Sequence, residues 1–292
     1  MRKRILALFI VFCCCPWTTF GASFQDALQR EVVLPAPPQK IISLVPSVTE
    51  ILFALGLQEQ IIATTDACTF PEAAQHLPKV GSYSEPSLEA ILLHRPDLVF
   101  ASADQNRPTL VQQLERLGIP VYVVYPRNVL ETLATIRQIG TVAGVAEAGE
   151  RLASSIEARI AAVRKSVSTA SPPLTLECVM LQPLTVAGPE TFVDDLIRLA
   201  GGRNAVPPGP SRYPTWNSEA LLSADPEMIV VSAYPGQPDP TRFFDRWPQL
   251  RAVRDERIIR IEADWIHRPG PRMILAIEAL ARALHPESPN DD

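Results

Sequence analysis

Two sets of residues in this chain are placed to do chemistry. The first is the run Asp264, Trp265, Ile266, His267, Arg268, which gathers a carboxylate, an imidazole and a guanidinium within five positions. Such a trio can donate, accept and move protons. On a planar substrate, Asp264, His267 and Arg268 could serve a secreted enzyme. No nucleophile stands near them in sequence, so a group of hydrogen-bonding side chains lining a cleft is the favoured reading. The chain has no Gly-x-Ser-x-Gly elbow, no Gly-x-x-x-x-Gly-Lys phosphate loop and no His-Glu-x-x-His pair. Its four histidines, at 76, 94, 267 and 285, are too scattered to build a transition-metal centre. The expectation is a binder with no catalytic residue, no metal and no cofactor of its own.

The second set is a matched pair of acids. Residues 87–102 align without gaps on residues 217–232: SLEAILLHRPDLVFAS on NSEALLSADPEMIVVS. In each copy a capping residue (Ser87, Asn217) opens a short helix, a proline stops it and an apolar strand follows. Glu89 and Glu219 fall two residues after the cap in their copies. One acid in a first helical turn is explained by the helix dipole. Two at matched places in related halves could form paired prongs for a two-fold-related partner with basic pockets.

The loops that would follow the strands carry aromatic and small residues with a few charges: Asp66, Phe70, Tyr83, Tyr213, Trp216, and 264–268. Such walls suit a broad, flat ligand with polar decoration. Phe70, beside Pro71, reads as a structural turn. Tyr83 and Tyr213 each stand four residues ahead of a repeat's cap, so they are expected to face one another as a clamp.

These residues need a scaffold, and the pattern supplies one. Apolar strands are expected at 41–45, 61–65, 97–102 and 121–125, separated by helices at 47–55, 87–95 and 108–117. Strands this apolar between helices imply a parallel sheet covered on both faces. The second half repeats the theme with strands at 175–181, 228–233 and 258–262 and helices at 192–200, 218–224 and 271–284, Gly201-Gly202 stopping the first of these. Between the halves, 145–168 contains no proline and one glycine, with Val145, Leu152, Ile156, Ile160 and Val163 on one helical stripe. A helix of that length spans about 36 Å and resists bending. The expected architecture is α/β: two Rossmann-like lobes with parallel-rich sheets, at 38–144 and 172–286, joined by one long helix at 145–168.

The chain begins with Arg2, Lys3 and Arg4, an apolar run from Ile5 to Cys15, then small residues, the layout of a secretory signal peptide over 1–22 cut near Gly21 or Ala22. The run is about 11 residues, short of the roughly 20 that span a bilayer. Lipidation at Cys13, Cys14 or Cys15 stays open, although a bulky neighbour sits where a small residue is wanted. The remaining cysteines, Cys68 and Cys178, fall in different halves and are expected as buried apolar residues rather than a disulfide. The length of 292 residues accommodates two domains, and 20% charged residues with a net charge of −5 argue against a nucleic-acid binder. The 29 prolines against 13 glycines indicate stiff connections.

Several stretches carry a family resemblance: IISLVPSVTE at 41–50, LFALG at 52–56, TFPEA at 69–73, VGSY at 80–83 and RPDLV at 95–99. They resemble the periplasmic substrate-binding proteins of ABC importers, in the class whose two lobes share one backbone helix and which takes up cobalamin, haem and iron–siderophores. The resemblance covers about 38–285. The stretch DWIHRPGPR at 264–272 and the Tyr-Pro pair at 213–214 look most like the cobalamin-binding branch. It implies a periplasmic, monomeric receptor that captures cobalamin and delivers it to an inner-membrane permease–ATPase complex, touching the membrane only through that permease. Haem or a ferric siderophore on the same scaffold is the alternative. The acids that dock on permease arginines match Glu89 and Glu219, and the ring-contacting aromatics match Tyr83 and Tyr213, tyrosine here where that branch has tryptophan. Asp66 replaces a tyrosine after the second strand, and Ser102 an aromatic after the strand at 97–102. The segment 264–268 would contact the ligand's amides and nucleotide loop.

Overall fold

A computed structural model describes residues 21–234, 236 and 239–286. The signal segment before Gly21 and the cysteines at 13–15 lie outside the described residues. No described helix is long and apolar enough to cross a membrane.

The chain opens with an antiparallel hairpin, β1 (Ala22–Gln25) and β2 (Glu31–Leu34), which the pattern did not suggest. It is fastened to the first lobe: Ala27 donates its N–H to Val123 O, and Tyr122 donates its hydroxyl to Gln25 O at 3.0 Å. The first lobe follows with β3 (Ile41–Ser43), α1 (Pro46–Ala54), β4 (Ile61–Thr64), α2 (Glu72–Gln75), α3 (Leu88–His94), β5 (Leu98–Ser102), α4 (Pro108–Arg116), β6 (Val121–Val124) and α5 (Val129–Val142). Its sheet runs β4-β3-β5-β6, all parallel. Every residue of β3, β5 and β6 is buried, as expected of strands covered on both faces.

The connecting helix is α6 (Ala146–Ser166). The second lobe holds β7 (Leu174–Leu181), β8 (Leu184–Val186), α7 (Phe192–Leu199), β9 (Arg203–Asn204), α8 (Ser218–Ala224), β10 (Met228–Ala233), α9 (Arg251–Arg254), β11 (Ile258–Glu262), α10 (Ala263–His267) and α11 (Met273–Leu284). Its sheet runs β11-β10-β7-β8, with β9 also on β7; β8 is antiparallel, the others parallel.

The internal repeat is structural. The helices α3 and α8 each have seven residues, each is capped by the side chain of Ser87 or Asn217, and each ends in a left-handed residue before proline. Those residues are Arg95 at φ 49° and Asp225 at φ 39°. The expected helix at 271–284 is α11; a short helix that the pattern did not suggest, α10, precedes it, and Pro269-Gly270-Pro271 separates the two. The helix α5 was not expected, although its N-cap Asn128 is a favoured capping residue; Asn128 accepts from Glu131 N, and Glu131 accepts from Arg127 N.

The lobes are not joined by α6 alone. The helices α5, α6, α7 and α11 pack together, and one apolar core runs from Ile42 and Phe100 through Ile136, Ile156 and Leu196 to Ile277. A smaller core under Leu176, Val231 and Phe244 belongs to the second lobe. Where α5 crosses α6, a Cβ on Gly140 would stand 2.9 Å from Gly149 Cα, so only glycine allows this approach. A continuous core that spans both lobes fixes their separation more firmly than one helix could. Cys68 and Cys178 are free and buried in different lobes, and burial pushes the Cys178 thiol above its ordinary value.

Candidate functional site

In a parallel α/β sheet the ligand crevice lies beyond the carboxyl ends of the strands, where strand order reverses. In the first lobe that point is between β3 and β5, and the cleft is there. Its enclosed part, about 210 Å³, is walled by Val45–Ser47 after β3, Ala67 after β4, Ser102 and Asp104 after β5, and Tyr125 after β6. Tyr83 closes one side and His267, Arg268 and Pro269 of the second lobe close the other.

The two expected tyrosines sit in loops stiffened by backbone bonds. Around Tyr83, Ser87 N donates to Val80 O, Asp66 N to Gly81 O, and Asn106 Nδ2 to Tyr83 O itself. Around Tyr213, Gly188 N donates to Arg212 O at 2.7 Å and Val186 N to Pro214 O at 3.1 Å, clamping the residues on either side of it. Burial, with Asp104 adding, holds the Tyr83 phenol well above its ordinary value, and Arg268 opposes the shift. Burial also raises Tyr213, and the acids that add to it are Glu177 of the second lobe and Asp104 of the first.

Tyr125, which follows β6, lines the cavity. Tyr234 follows β10; the two are 37% and 43% exposed, against 46% for Tyr213. Burial raises Tyr234, with Glu177 and Asp264 adding and Arg268 opposing. Two of the five tyrosines, Tyr83 and Tyr125, line the cavity, and Tyr122 is in the core. The rule that points to loops after parallel strands applies to Tyr125 as well, although the pattern predicts it as the last residue of the strand at 121–125.

The run 264–268 divides by role. His267 and Arg268 reach the cavity. Ile266 is fully buried, which corrects its assignment to the ligand: on a five-residue helix its side chain points into the core. Trp265 packs against the shared core and Trp216 against the second-lobe core, so neither ring stands free. Asp66 is exposed after β4, while its neighbour Ala67 forms the wall. Asp264 forms an ion pair with Arg268 at 3.0 Å and accepts from Arg272 at 3.3 Å, and so orients these guanidiniums. Arg272 also pairs with Glu50 on α1 and lies over the Phe70 ring, 3.9 Å from its centroid. Arg268 Nη1 is buried 3.5 Å from Glu50 and has no hydrogen-bond partner among the described residues.

Behind His267 is a buried relay. Ser232 on β10 donates its hydroxyl to Glu177 Oε1 at 2.8 Å and lies 2.6 Å from His267 Nε2. Glu177 on β7 is fully buried and its Oε2 has no hydrogen-bond partner among the described residues. In a Ser–His–acid triad the acid sits on Nδ1 and the serine on Nε2. Here both meet Nε2, and the serine proton points to the carboxylate. The arrangement orients the imidazole without activating a nucleophile. Among the described residues, no three His, Cys, Asp or Glu side chains converge to hold a metal.

The acids of the repeat, Glu89 and Glu219, follow Tyr83 and Tyr213 by six residues each, and both are exposed. Neighbouring acids are paired, Glu85 with Arg107 and Asp225 with Arg251, but neither Glu89 nor Glu219 has a cationic partner among the described residues.

The geometry agrees with known proteins. The chain is 30% identical over 267 residues to the vitamin B12-binding protein of Photorhabdus laumondii, covering 91% of this chain and 93% of that one. It is 26% identical over 276 residues to the uncharacterized ABC transporter substrate-binding lipoprotein YvrC of Bacillus subtilis, covering 92% and 87%. The apo form of the periplasmic heme-binding protein RhuT from Roseiflexus sp. RS-1 superposes with a TM-score of 0.77 at 28% identity, over 86% of this chain and 99% of that one. These relatives are substrate-binding proteins, not enzymes, of an extracytoplasmic kind. A periplasmic binding protein family model matches residues 41–265, and this chain belongs to that family.

Proposed function

We propose that this protein captures a cobalamin-type corrinoid between its lobes in the periplasm and delivers it to an ABC importer. The enclosed volume of about 210 Å³ is smaller than a drug-sized pocket of roughly 300–1,000 Å³. A flat macrocycle would therefore lie in the open gap, with one edge in the cavity and its faces against Tyr83 and Tyr213. Arg268 and His267 would bond its amide side chains, with Asp264 holding Arg268 in place. Asp66, Trp216 and Trp265 would shape the surroundings. Glu89 and Glu219 would dock on basic pockets of the permease. The mature, monomeric chain would begin near Gly21 or Ala22, and the corrinoid is cargo, not a cofactor.

The observation that carries the choice of ligand is the cavity lining, where the rings of Tyr83 and Tyr125 stand beside the polar heads of His267 and Arg268. In the empty cleft the Tyr83 phenol is raised by burial, with Asp104 adding. A neutral phenol offers a ring face and an O–H donor, which suits a corrin bearing carboxamides. Haem is the second reading, supported by Tyr83, Tyr125 and His267 in the cavity wall. Titration of the purified mature protein with cyanocobalamin, haemin and a ferric siderophore, followed by heat and visible absorbance, separates them. Saturable one-to-one binding of cyanocobalamin alone supports the proposal; a haemin spectrum with a tyrosinate band and no cobalamin heat rejects it.

A further inference from the structure

The proposed docking tips are alike in build and unlike in chemistry. Along α3 and α8 the burial pattern is identical from the glutamate onward: exposed, intermediate, buried, intermediate, exposed, intermediate. The second exposed position lies four residues after the glutamate, on the same helix face one turn on. In the first lobe it is Leu93, 81% exposed, the most open of the large apolar side chains among the described residues. In the second lobe it is Ser223. A single exposed leucine is ordinary on a protein surface. This one adjoins an acid that lacks an intramolecular cation, at a site whose structural twin carries a hydroxyl.

We infer that the first lobe docks through a composite tip, the Glu89 carboxylate with Leu93 beside it, on a permease surface that sets a basic side chain next to an apolar recess. The second lobe, with Glu219 and Ser223, makes a polar contact only. The first-lobe tip supplies the slower-dissociating half of the complex, since a desolvated apolar contact lowers the off-rate while exposed charges mainly speed encounter. The inference rests on the reading of Glu89 and Glu219 as docking acids.

The test measures binding of the cobalamin-loaded protein to its importer in nanodiscs, for wild type, Leu93→Ser, and the double variant Glu89→Arg with Glu219→Arg. Leu93→Ser should weaken the complex at least about tenfold through a faster off-rate, leaving the cobalamin titration and the melting temperature unchanged. If Leu93→Ser binds the importer as wild type does while the double charge reversal abolishes binding, the composite tip is wrong and the docking acids stand. If the charge reversal also leaves binding intact, the underlying reading fails. Should sedimentation show that Leu93 holds a dimer of this chain, dissolved by Leu93→Ser, the leucine faces a second copy and the inference is overturned.

Discussion

The guanidinium of Arg272 lies bidentate on the carboxylate of Glu50, at 2.8 and 2.6 Å, although 222 residues separate them. Glu50 is in the first-lobe helix α1, and its side chain is 2% exposed; Arg272 leads into α11 of the second lobe and is 15% exposed. The same guanidinium holds Asp264, and Asp264 holds Arg268 at the cleft. One buried pair therefore ties the lobes together and sets the position of a cleft side chain.

Removing one partner of a buried pair strands the other charge, at a cost of about 3–5 kcal/mol. Arg272→Leu should lower the unfolding free energy by that order. Glu50→Leu combined with Arg272→Leu should recover only part of the loss, because the buried Arg268 Nη1 then loses Glu50 as its counter-ion. Ligand affinity should fall in both variants, since Asp264 and Arg268 lose their frame. Denaturant unfolding and ligand titration on the same samples check this.

The cleft tyrosines are proposed to act mainly through their ring faces. Tyr83→Phe and Tyr213→Phe should each weaken cyanocobalamin binding by less than about fivefold, the share of one neutral hydrogen bond. Tyr83→Ala and Tyr213→Ala should each weaken it by roughly 10–100-fold, the share of a buried ring. Equal losses for Phe and Ala would assign the binding to the hydroxyls.

Burial raises the Tyr83 phenol well above its ordinary value of 10 and Tyr122 to about 12. An unfolded phenol ionises near pH 10, so above that pH the folded state keeps protons that the unfolded state has lost. By linkage, the stability these phenols contribute is complete below pH 10 and declines as pH rises through their folded values. Tyr83→Phe should flatten the alkaline fall in melting temperature above pH 10 and leave the profile from pH 6 to 9 unchanged. Ultraviolet titration should show late-ionising tyrosines that the variant reduces in number.

The crossing of α5 and α6 has no room for a side chain. A Cβ on Gly149 would stand 3.1 Å from Ile136 O and 3.2 Å from Gly140 Cα. Gly149→Val should destabilise the protein by about 1–3 kcal/mol or more through overpacking, despite valine's better helix propensity than glycine. A melting temperature equal to wild type would show that the helices separate freely there.

Local signals determined much of this protein. Alternation of apolar strands and capped helices set the α/β class, because a strand covered on both faces must be apolar throughout. The gapless match of 87–102 on 217–232 marked Glu89 and Glu219, and their helices share caps, lengths and left-handed ends, since capping and proline stops act within a few residues. The uninterrupted stripe from Val145 to Val163 specified α6. What the tertiary structure decided is where distant groups meet. Glu50 with Arg272, Glu177 with Ser232 and His267, and Tyr83 and Tyr125 at one cleft come from elements brought together only by the shared core. Ile266 differs from His267 for the same reason: successive side chains on a short helix point in different directions, and only the packing of α10 against its neighbours selects which enters the cleft.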